Sequence, residues 1–203
     1  EINLGHVEDA LAAADHAIML KRAIRGVARR HGMEACFMAK PYGDQSGSGQ
    51  HFHLSLIDED GRNVFAGEEG APSPTMRAAI GGLLESMADA TLLFAPHLNS
   101  YRRLRPGSYA PYVAAWGLDN RGVAVRCPAT AGSAARIEHR VAGADANPYL
   151  VLAAILSGAL RGVERGSDPG EPVSGEAQAG QGGRLPTHWP GAIAAFESSA
   201  FIR

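Results

Sequence analysis

The segment of residues 47–57 constrains the fold of this chain most strongly. A Gly-Ser-Gly turn leads directly into a stretch in which polar and apolar residues alternate, Gln-His-Phe-His-Leu-Ser-Leu-Ile. Because successive side chains of a strand point to opposite faces, His51, His53 and Ser55 share one face, and the apolar residues between them share the other. The segment therefore predicts a strand with one polar, histidine-bearing face.

This polar face has two interpretations. Imidazole nitrogens are metal ligands, and glycine N–H groups can approach a phosphate without obstruction by a Cβ, so the segment suggests a metal and a phosphate bound together. A surface strand with two solvated histidines after a turn explains the same pattern, because short glycine motifs are weak evidence. The segment alone does not distinguish the two.

The rest of the chain mixes helical and strand patterns without a βαβ rhythm. Apolar residues at three- and four-residue spacing, together with proline at two helix starts, predict helices at 6–31, 75–94, 148–163 and 190–198. Apolar or alternating runs predict strands at 34–39, 50–57, 113–117, 121–127 and 136–141. This mixture predicts the α+β class, with an antiparallel β-sheet flanked by helices.

The 203 residues are enough for one domain with a sizeable core. We expect residues 1–165 to form that core, residues 166–185 a loop rich in glycine and proline, and residues 186–203 the start of a C-terminal helical segment. The chain starts without Met and ends within an unfinished helix or turn, so we expect it to be a fragment of a longer protein.

Composition excludes some classes of partner. The net charge of −2 gives no indication of binding to nucleic acid or to an acidic membrane surface. No apolar run approaches the roughly 20 residues that a membrane span needs. The two cysteines lie in apolar surroundings typical of reduced core residues, which predicts a cytoplasmic protein.

Arginine is concentrated in three parts of the chain. Arg136, Glu138 and Arg140 share one face of a predicted strand. The other arginines are Arg121 and Arg126 on a second strand, and Arg102, Arg103 and Arg105 in one loop. A cross-strand salt-bridge network would explain this pattern. A site where arginines bind an anion, and Glu138 with a histidine binds a divalent cation, also explains it and would suit phosphoryl transfer.

Five motifs, in order, resemble the C-terminal catalytic region of glutamine synthetases. They are Lys40-Pro41 with Gly47–His53, Asn99–Leu104, Asn120–Pro128, Arg136–Arg140 and Asp145–Tyr149. The resemblance implies a cytoplasmic ligase of nitrogen metabolism that forms γ-glutamyl phosphate from ATP and glutamate, after which an amine displaces the phosphate. It also implies Mg²⁺ or Mn²⁺ as cofactor, ATP as co-substrate and a homo-oligomeric ring.

The resemblance further implies roles for individual residues. The implied metal ligands are Glu1, His51 and Glu138. The implied nucleotide-binding residues are His53, Ser55, Arg126 and Arg136. The implied glutamate-binding residues are Gly47, Arg103 and Arg140. Arg121 resembles the catalytic arginine that stabilises the transferring phosphoryl group.

Tyr109 departs from the pattern of ammonia-using members, which typically carry a glutamate at this position of an ammonium pocket. A phenol cannot supply that negative charge at neutral pH. We therefore interpret Tyr109 as part of a pocket for an organic amine or polyamine. The alternative is an ammonia-using glutamine synthetase in which Tyr109 is a packing substitution. Ser46 and Ser133 also depart, from a common asparagine and a common lysine respectively.

Two further alternatives belong to other classes. One is a guanidino-kinase-like phosphotransferase, since arginines also surround the nucleotide there, but the Gly-Ser-Gly-x-His-x-His strand speaks against it. The other is a non-catalytic glutamine synthetase-like protein, and the retained metal and arginine positions argue against it. We expect the 203-residue chain alone to be inactive, because the resemblance places further carboxylates upstream and part of each active site on a neighbouring subunit.

Overall fold

The computed structural model describes residues 2–68 and 70–203. The helices are α1 (Ala10–Arg30), α2 (Pro74–Met87), α3 (Thr91–Phe94), α4 (Pro148–Arg165) and α5 (Trp189–Ser198), with 3₁₀ turns at Leu98–Arg102 and Gly132–Ala134. The strands are β1 (Phe52–Leu54), β2 (Val113–Ala114), β3 (Trp116–Leu118), β4 (Val125–Ala129), β5 (Arg136–His139) and β6 (Gly183–Arg184). The α+β class predicted from the sequence is confirmed.

Helix boundaries follow local signals in the sequence. The Asp9 carboxylate accepts from the first N–H groups of α1, and the Ser73 and Asn147 side chains do the same for α2 and α4. Gly166, with φ of 64°, ends α4 in the left-handed conformation that glycine adopts without strain. These caps explain why the observed helices lie within or close to the predicted ones.

The main sheet has the order β1-β5-β4-β3. β5 pairs antiparallel with both β1 and β4, whereas β3 and β4 are parallel, so the expectation of an antiparallel sheet is wrong for this last pair. The sheet is therefore mixed. Parallel pairing normally needs a connection of a dozen or more residues. Here Asp119, with φ of 44°, reverses the chain directly after β3. Residues 119–124 then run back along β3, so that the first residue of β4, Val125, pairs with the first residue of β3, Trp116.

The predicted strand at 34–39 is wrong, because this segment forms no ladder. Its last residue is nevertheless fixed, since the Ala39 carbonyl accepts a hydrogen bond from the Ser48 N–H at 2.8 Å. The segment thus supports the glycine-rich turn from outside the sheet.

The apolar core lies between the sheet and the pair α2 and α4. The two helices approach each other through glycines: a Cβ on Gly82 would lie 2.2 Å from the Gly158 carbonyl oxygen. From the sheet, Ile137 and His139 of β5 face this core, and the His139 ring lies 4.6 Å from that of Phe94. Glu138, between them in sequence, faces the opposite side. No helix in the described part of the chain is long and apolar enough to cross a bilayer.

Candidate functional site

Glu138 is the centre of a charged cluster on the face of the sheet that lies away from the core. Its side chain is only 4% exposed. The Arg140 Nη1 donates to Oε1 at 2.7 Å, the Arg126 Nη1 donates to Oε2 at 2.8 Å, and the His51 Nδ1 lies 3.0 Å from Oε1. The structure thus brings together His51 and Glu138, two of the residues expected to be metal ligands.

The sheet register brings these side chains together. Glu138 is directly opposite His53 of β1 and Arg126 of β4, and side chains of directly paired residues point to the same face. Arg140 lies two residues beyond Glu138 and therefore returns to that face. Three adjacent strands thus supply one cluster.

The electrostatics of the cluster favour an anion. Burial opposes ionisation of Glu138, but hydrogen bonds from His51 and Arg126 and the charge of Arg140 outweigh it and hold the pKa of this carboxyl well below its usual range. The carboxylate is therefore ionised at neutral pH. Arg126 also pairs with Asp119, but with Arg136 beside His53 the three guanidiniums of Arg126, Arg136 and Arg140 outnumber the two carboxylates. The excess positive charge and the guanidinium geometry suit a phosphate group.

His53 lies at the edge of this cluster. Burial lowers the pKa of its imidazole, with the charges of Arg136 and His51 adding to the effect and Glu138 opposing it. The Arg136 Nε donates to the His53 Nδ1 at 3.3 Å. A neutral His53 with its proton on Nε2 satisfies this contact, which leaves Nε2–H as a donor. The nearby Ser55 hydroxyl donates to the Ala135 carbonyl at 3.0 Å.

Gly47 lies over the buried side chain of Arg103, which is 5% exposed. The Arg103 Nη1 donates to the Val141 carbonyl at 2.6 Å, and Nη2 donates to the Arg140 carbonyl at 3.2 Å. A Cβ on Gly47 would lie 2.7 Å from the Ala39 carbonyl oxygen, so only glycine fits there. The structure thus gives this glycine a packing role, and its contact with glutamate stays a prediction.

Arg121 and Tyr109 lie outside the Glu138 cluster and line a neighbouring cavity of about 460 Å³. Tyr109 has a φ of 57° and is 92% exposed. The Arg140 Nη2 donates to the Arg121 carbonyl at 3.3 Å, which joins the cluster to this cavity. We call the second space, lined by Gly107, Tyr109–Val113, Asn120–Gly122 and Gly175–Ala177, the acceptor cavity.

The ligand atoms of the cluster suit a metal ion that is also bound by water and by substrate phosphates. Within residues 2–68 and 70–203, no three His, Cys, Asp or Glu side chains come together to hold a metal. His51 and Glu138 supply one nitrogen and one carboxylate, and a carboxylate offers about four lone-pair sites. Mg²⁺ is commonly held by one or two carboxylates together with water and substrate phosphates, so this pair suits it. Glu1, the third ligand expected, lies outside the described residues.

Two residues near the site were missed by the sequence reasoning. Asp119 accepts from the Arg126 Nε at 3.1 Å and so helps to hold that guanidinium beside Glu138. Glu176 lines the acceptor cavity. The parallel pairing of β3 with β4 brings Asp119 beside Arg126, and nothing in the local sequence indicates that pairing.

Comparison with known proteins identifies the family of this chain. The family model "Glutamine synthetase, catalytic domain" matches residues 1–203. The chain is 43% identical over 203 residues to gamma-glutamylputrescine synthetase PuuA of Escherichia coli (strain K12), covering all of this chain and 43% of that protein. It is 45% identical over 179 residues to a glutamate–isopropylamine ligase of Pseudomonas sp, covering 87% of this chain and 39% of that protein.

The chain is also similar in fold to a solved structure. The chain superimposes on a GmaS/ADP complex with a TM-score of 0.87 and 36% sequence identity, covering 96% of this chain and 47% of that one. The chain therefore spans less than half the length of each of these proteins.

Proposed function

The chain belongs to the glutamine synthetase family, and from this premise we propose that the whole protein is an ATP-dependent ligase that joins the γ-carboxylate of glutamate to an amine. The observation that carries the proposal is the convergence of His51 and Glu138 with Arg126 and Arg140 on one face of the sheet. Such a cluster holds phosphate oxygens in place and offsets their charge, which is how phosphoryl transfer is catalysed.

In the proposed reaction, a γ-carboxylate oxygen of glutamate attacks the γ-phosphorus of ATP and ADP leaves. The amine nitrogen then attacks the acyl carbon of γ-glutamyl phosphate, phosphate leaves with the former carboxylate oxygen, and the amine loses a proton. When bound, Mg²⁺ or Mn²⁺ would neutralise phosphate charge beside His51 and Glu138.

The side chains have distinct parts in this scheme. Arg126, Arg136 and the Nε2–H of His53 donate to nucleotide phosphates, with Ser55 alongside. Arg140 and Arg103, with the backbone of Gly47, hold glutamate. Arg121, at the junction with the acceptor cavity, stabilises the transferring phosphoryl group. To reach glutamate, both buried arginines turn from their present partners, which are backbone carbonyls for Arg103 and the Glu138 carboxylate with the Arg121 carbonyl for Arg140.

We propose an organic amine rather than ammonia as the acceptor. Tyr109 carries no negative charge at neutral pH, so it cannot hold an ammonium ion as a carboxylate would. The cavity beside it, at about 460 Å³, is also far larger than an ammonium ion needs. The names of the two relatives, a putrescine and an isopropylamine enzyme, support this choice.

The test is a screen of acceptors with the intact protein. ADP release is measured with ATP, Mg²⁺ and glutamate in the presence of ammonia, isopropylamine, butylamine, putrescine or spermidine. We expect release that requires both glutamate and an organic amine, with ammonia the poorer acceptor. Preference for ammonia would support the glutamine synthetase alternative, and absence of any amine-dependent release would support a non-catalytic protein.

Family membership also supports two further proposals. We propose that the whole protein assembles into a homo-oligomeric ring, in which a neighbouring subunit completes each active site. We propose that it is cytoplasmic, consistent with two cysteines that form no disulfide, Cys36 and Cys127.

A further inference from the structure

The segment of residues 170–177 is fixed against residues 116–122 by hydrogen bonds along its length. The Val173 N–H donates to the Trp116 carbonyl at 2.8 Å, and the Ala177 N–H donates to the Gly122 carbonyl at 3.1 Å. Between them, the Asn120 Nδ2 donates to the carbonyls of Val173 and Gly175, each at 2.7 Å. The backbone on both sides of Glu176 is therefore held in place.

Two glycines allow this close approach. A Cβ on Gly117 would lie 2.5 Å from the Val173 carbonyl oxygen, and a Cβ on Gly122 would lie 2.7 Å from the Gly175 carbonyl oxygen. Both distances are below any that real Cβ atoms adopt, so a side chain at either position would push the segment away. Glycine at both positions thus leaves room for the segment of residues 170–177.

Glu176 faces the acceptor cavity from this fixed segment. It is the only carboxylate among the described residues that line the cavity, and Arg121 is the only cation. Within the described part of the chain Glu176 forms no ion pair, and its contact there is a long one, from the Gly107 N–H at 3.4 Å. The carboxylate is therefore free to bind a cation.

The remaining wall of the cavity is mostly apolar. Tyr109, Pro111, Tyr112 and Val113 line the same cavity as Arg121 and Glu176. Their rings and methyl groups suit a short alkyl chain, and the aromatic rings also tolerate a nearby ammonium. The cavity thus offers a negative group together with an apolar wall.

We propose that Glu176 is a specificity-determining residue that receives the distal ammonium of an aliphatic diamine. This proposal rests on the proposed function and names the class of amine. The alkyl chain of the diamine lies along Tyr109, Tyr112 and Val113, and its reacting nitrogen faces the Arg121 end, where γ-glutamyl phosphate is held. A monoamine of equal length leaves Glu176 without a partner.

Steady-state kinetics of the intact protein test this assignment. Putrescine and butylamine have the same number of carbons and differ by the second amine. In Glu176→Gln we expect the KM for putrescine to rise about fivefold, the upper limit for an ion pair near the surface, with kcat retained. The KM for butylamine should stay within about twofold of the wild type. Glu171→Gln, an exposed carboxylate in the same segment, is the matched control and should change neither.

The outcomes separate this proposal from the proposed function. Equal changes for putrescine and butylamine, or no change for either, would overturn the role of Glu176 while wild-type ligase activity stands. Absence of wild-type turnover with every amine would overturn the proposed function, and this assignment with it. If Glu176→Gln does not fold, Glu176→Asp, which keeps the charge, should retain a preference for putrescine over butylamine, and loss of that preference would contradict the proposal.

Discussion

Replacing Glu138 by glutamine removes the charge at the centre of the arginine cluster with little change in shape. Breaking a buried ion pair from one side typically costs about 3–5 kcal/mol, because the other charge loses its partner. Arg126 keeps Asp119 as an acceptor, and Arg140 keeps the Arg121 carbonyl. We therefore expect a loss near the lower end, about 3 kcal/mol in the free energy of unfolding.

This loss is measurable as a change in melting temperature. The relatives are more than twice the length of this chain, and for an intact protein of that size 1 kcal/mol shifts Tm by about 1–2 °C, so Glu138→Gln should lower Tm by about 3–6 °C. Differential scanning calorimetry of the intact protein in EDTA measures this without a contribution from bound metal. Asp60→Asn is the matched control, since Asp60 pairs with Arg62 at 2.9 Å and both side chains are more than 60% exposed. An exposed pair contributes about 1 kcal/mol at most, so Tm should fall by no more than about 2 °C.

A Glu138→Gln protein that melts within 2 °C of the wild type, or no lower than Asp60→Asn, would refute this reasoning. It would mean that the ion pairs of Glu138 with Arg126 and Arg140 contribute little to the free energy of unfolding. Glu138→Gln should also lose Mg²⁺ binding, because it removes a proposed metal ligand, and isothermal titration measures this separately.

Two further predictions concern the glycine-rich turn and the cysteines. Gly47→Ala should reduce ligase activity and lower the free energy of unfolding by about 1–3 kcal/mol through overpacking, because the new Cβ meets the Ala39 carbonyl. In the control Gly43→Ala the Cβ meets nothing within 4 Å, so this variant should be nearly neutral. Equal effects of the two variants in activity and melting assays would contradict this. Burial raises the pKa of the Cys127 thiol to about 12, so from pH 7 to pH 9 it stays protonated in the native protein. Mass spectrometry after iodoacetamide treatment should find Cys36 modified and Cys127 unmodified until denaturant is added. Rapid labelling of Cys127 in the native protein would contradict the buried position of its thiol.

Local alternation is what made the site predictable from the sequence. The period of two placed Arg136, Glu138 and Arg140 on one face, and His51 and His53 on another strand's equivalent face. Pairing of the two strands brought these faces together. The resemblance to the family had already implied that His51 and Glu138 are both metal ligands, and the structure places their side chains in contact.

Other features depend on contacts that no local pattern encodes. The parallel pairing of β3 with β4 follows from a reversal at Asp119, an aspartate in the left-handed conformation. The position of Glu176 depends on backbone hydrogen bonds to residues more than 50 positions earlier in the chain. The false strand at 34–39 has an apolar pattern, but its backbone joins no ladder, so propensity was overridden by tertiary structure.

Isotope transfer tests the central claim most directly. The intact protein is given glutamate labelled with ¹⁸O in its γ-carboxylate, together with ATP, Mg²⁺ and putrescine, and the released phosphate is analysed by mass spectrometry. Formation of γ-glutamyl phosphate predicts one ¹⁸O in each phosphate and one in each amide product. Unlabelled phosphate, released with or without amide formation, would contradict the claim that this cluster of histidine, glutamate and arginines serves a glutamate–amine ligase.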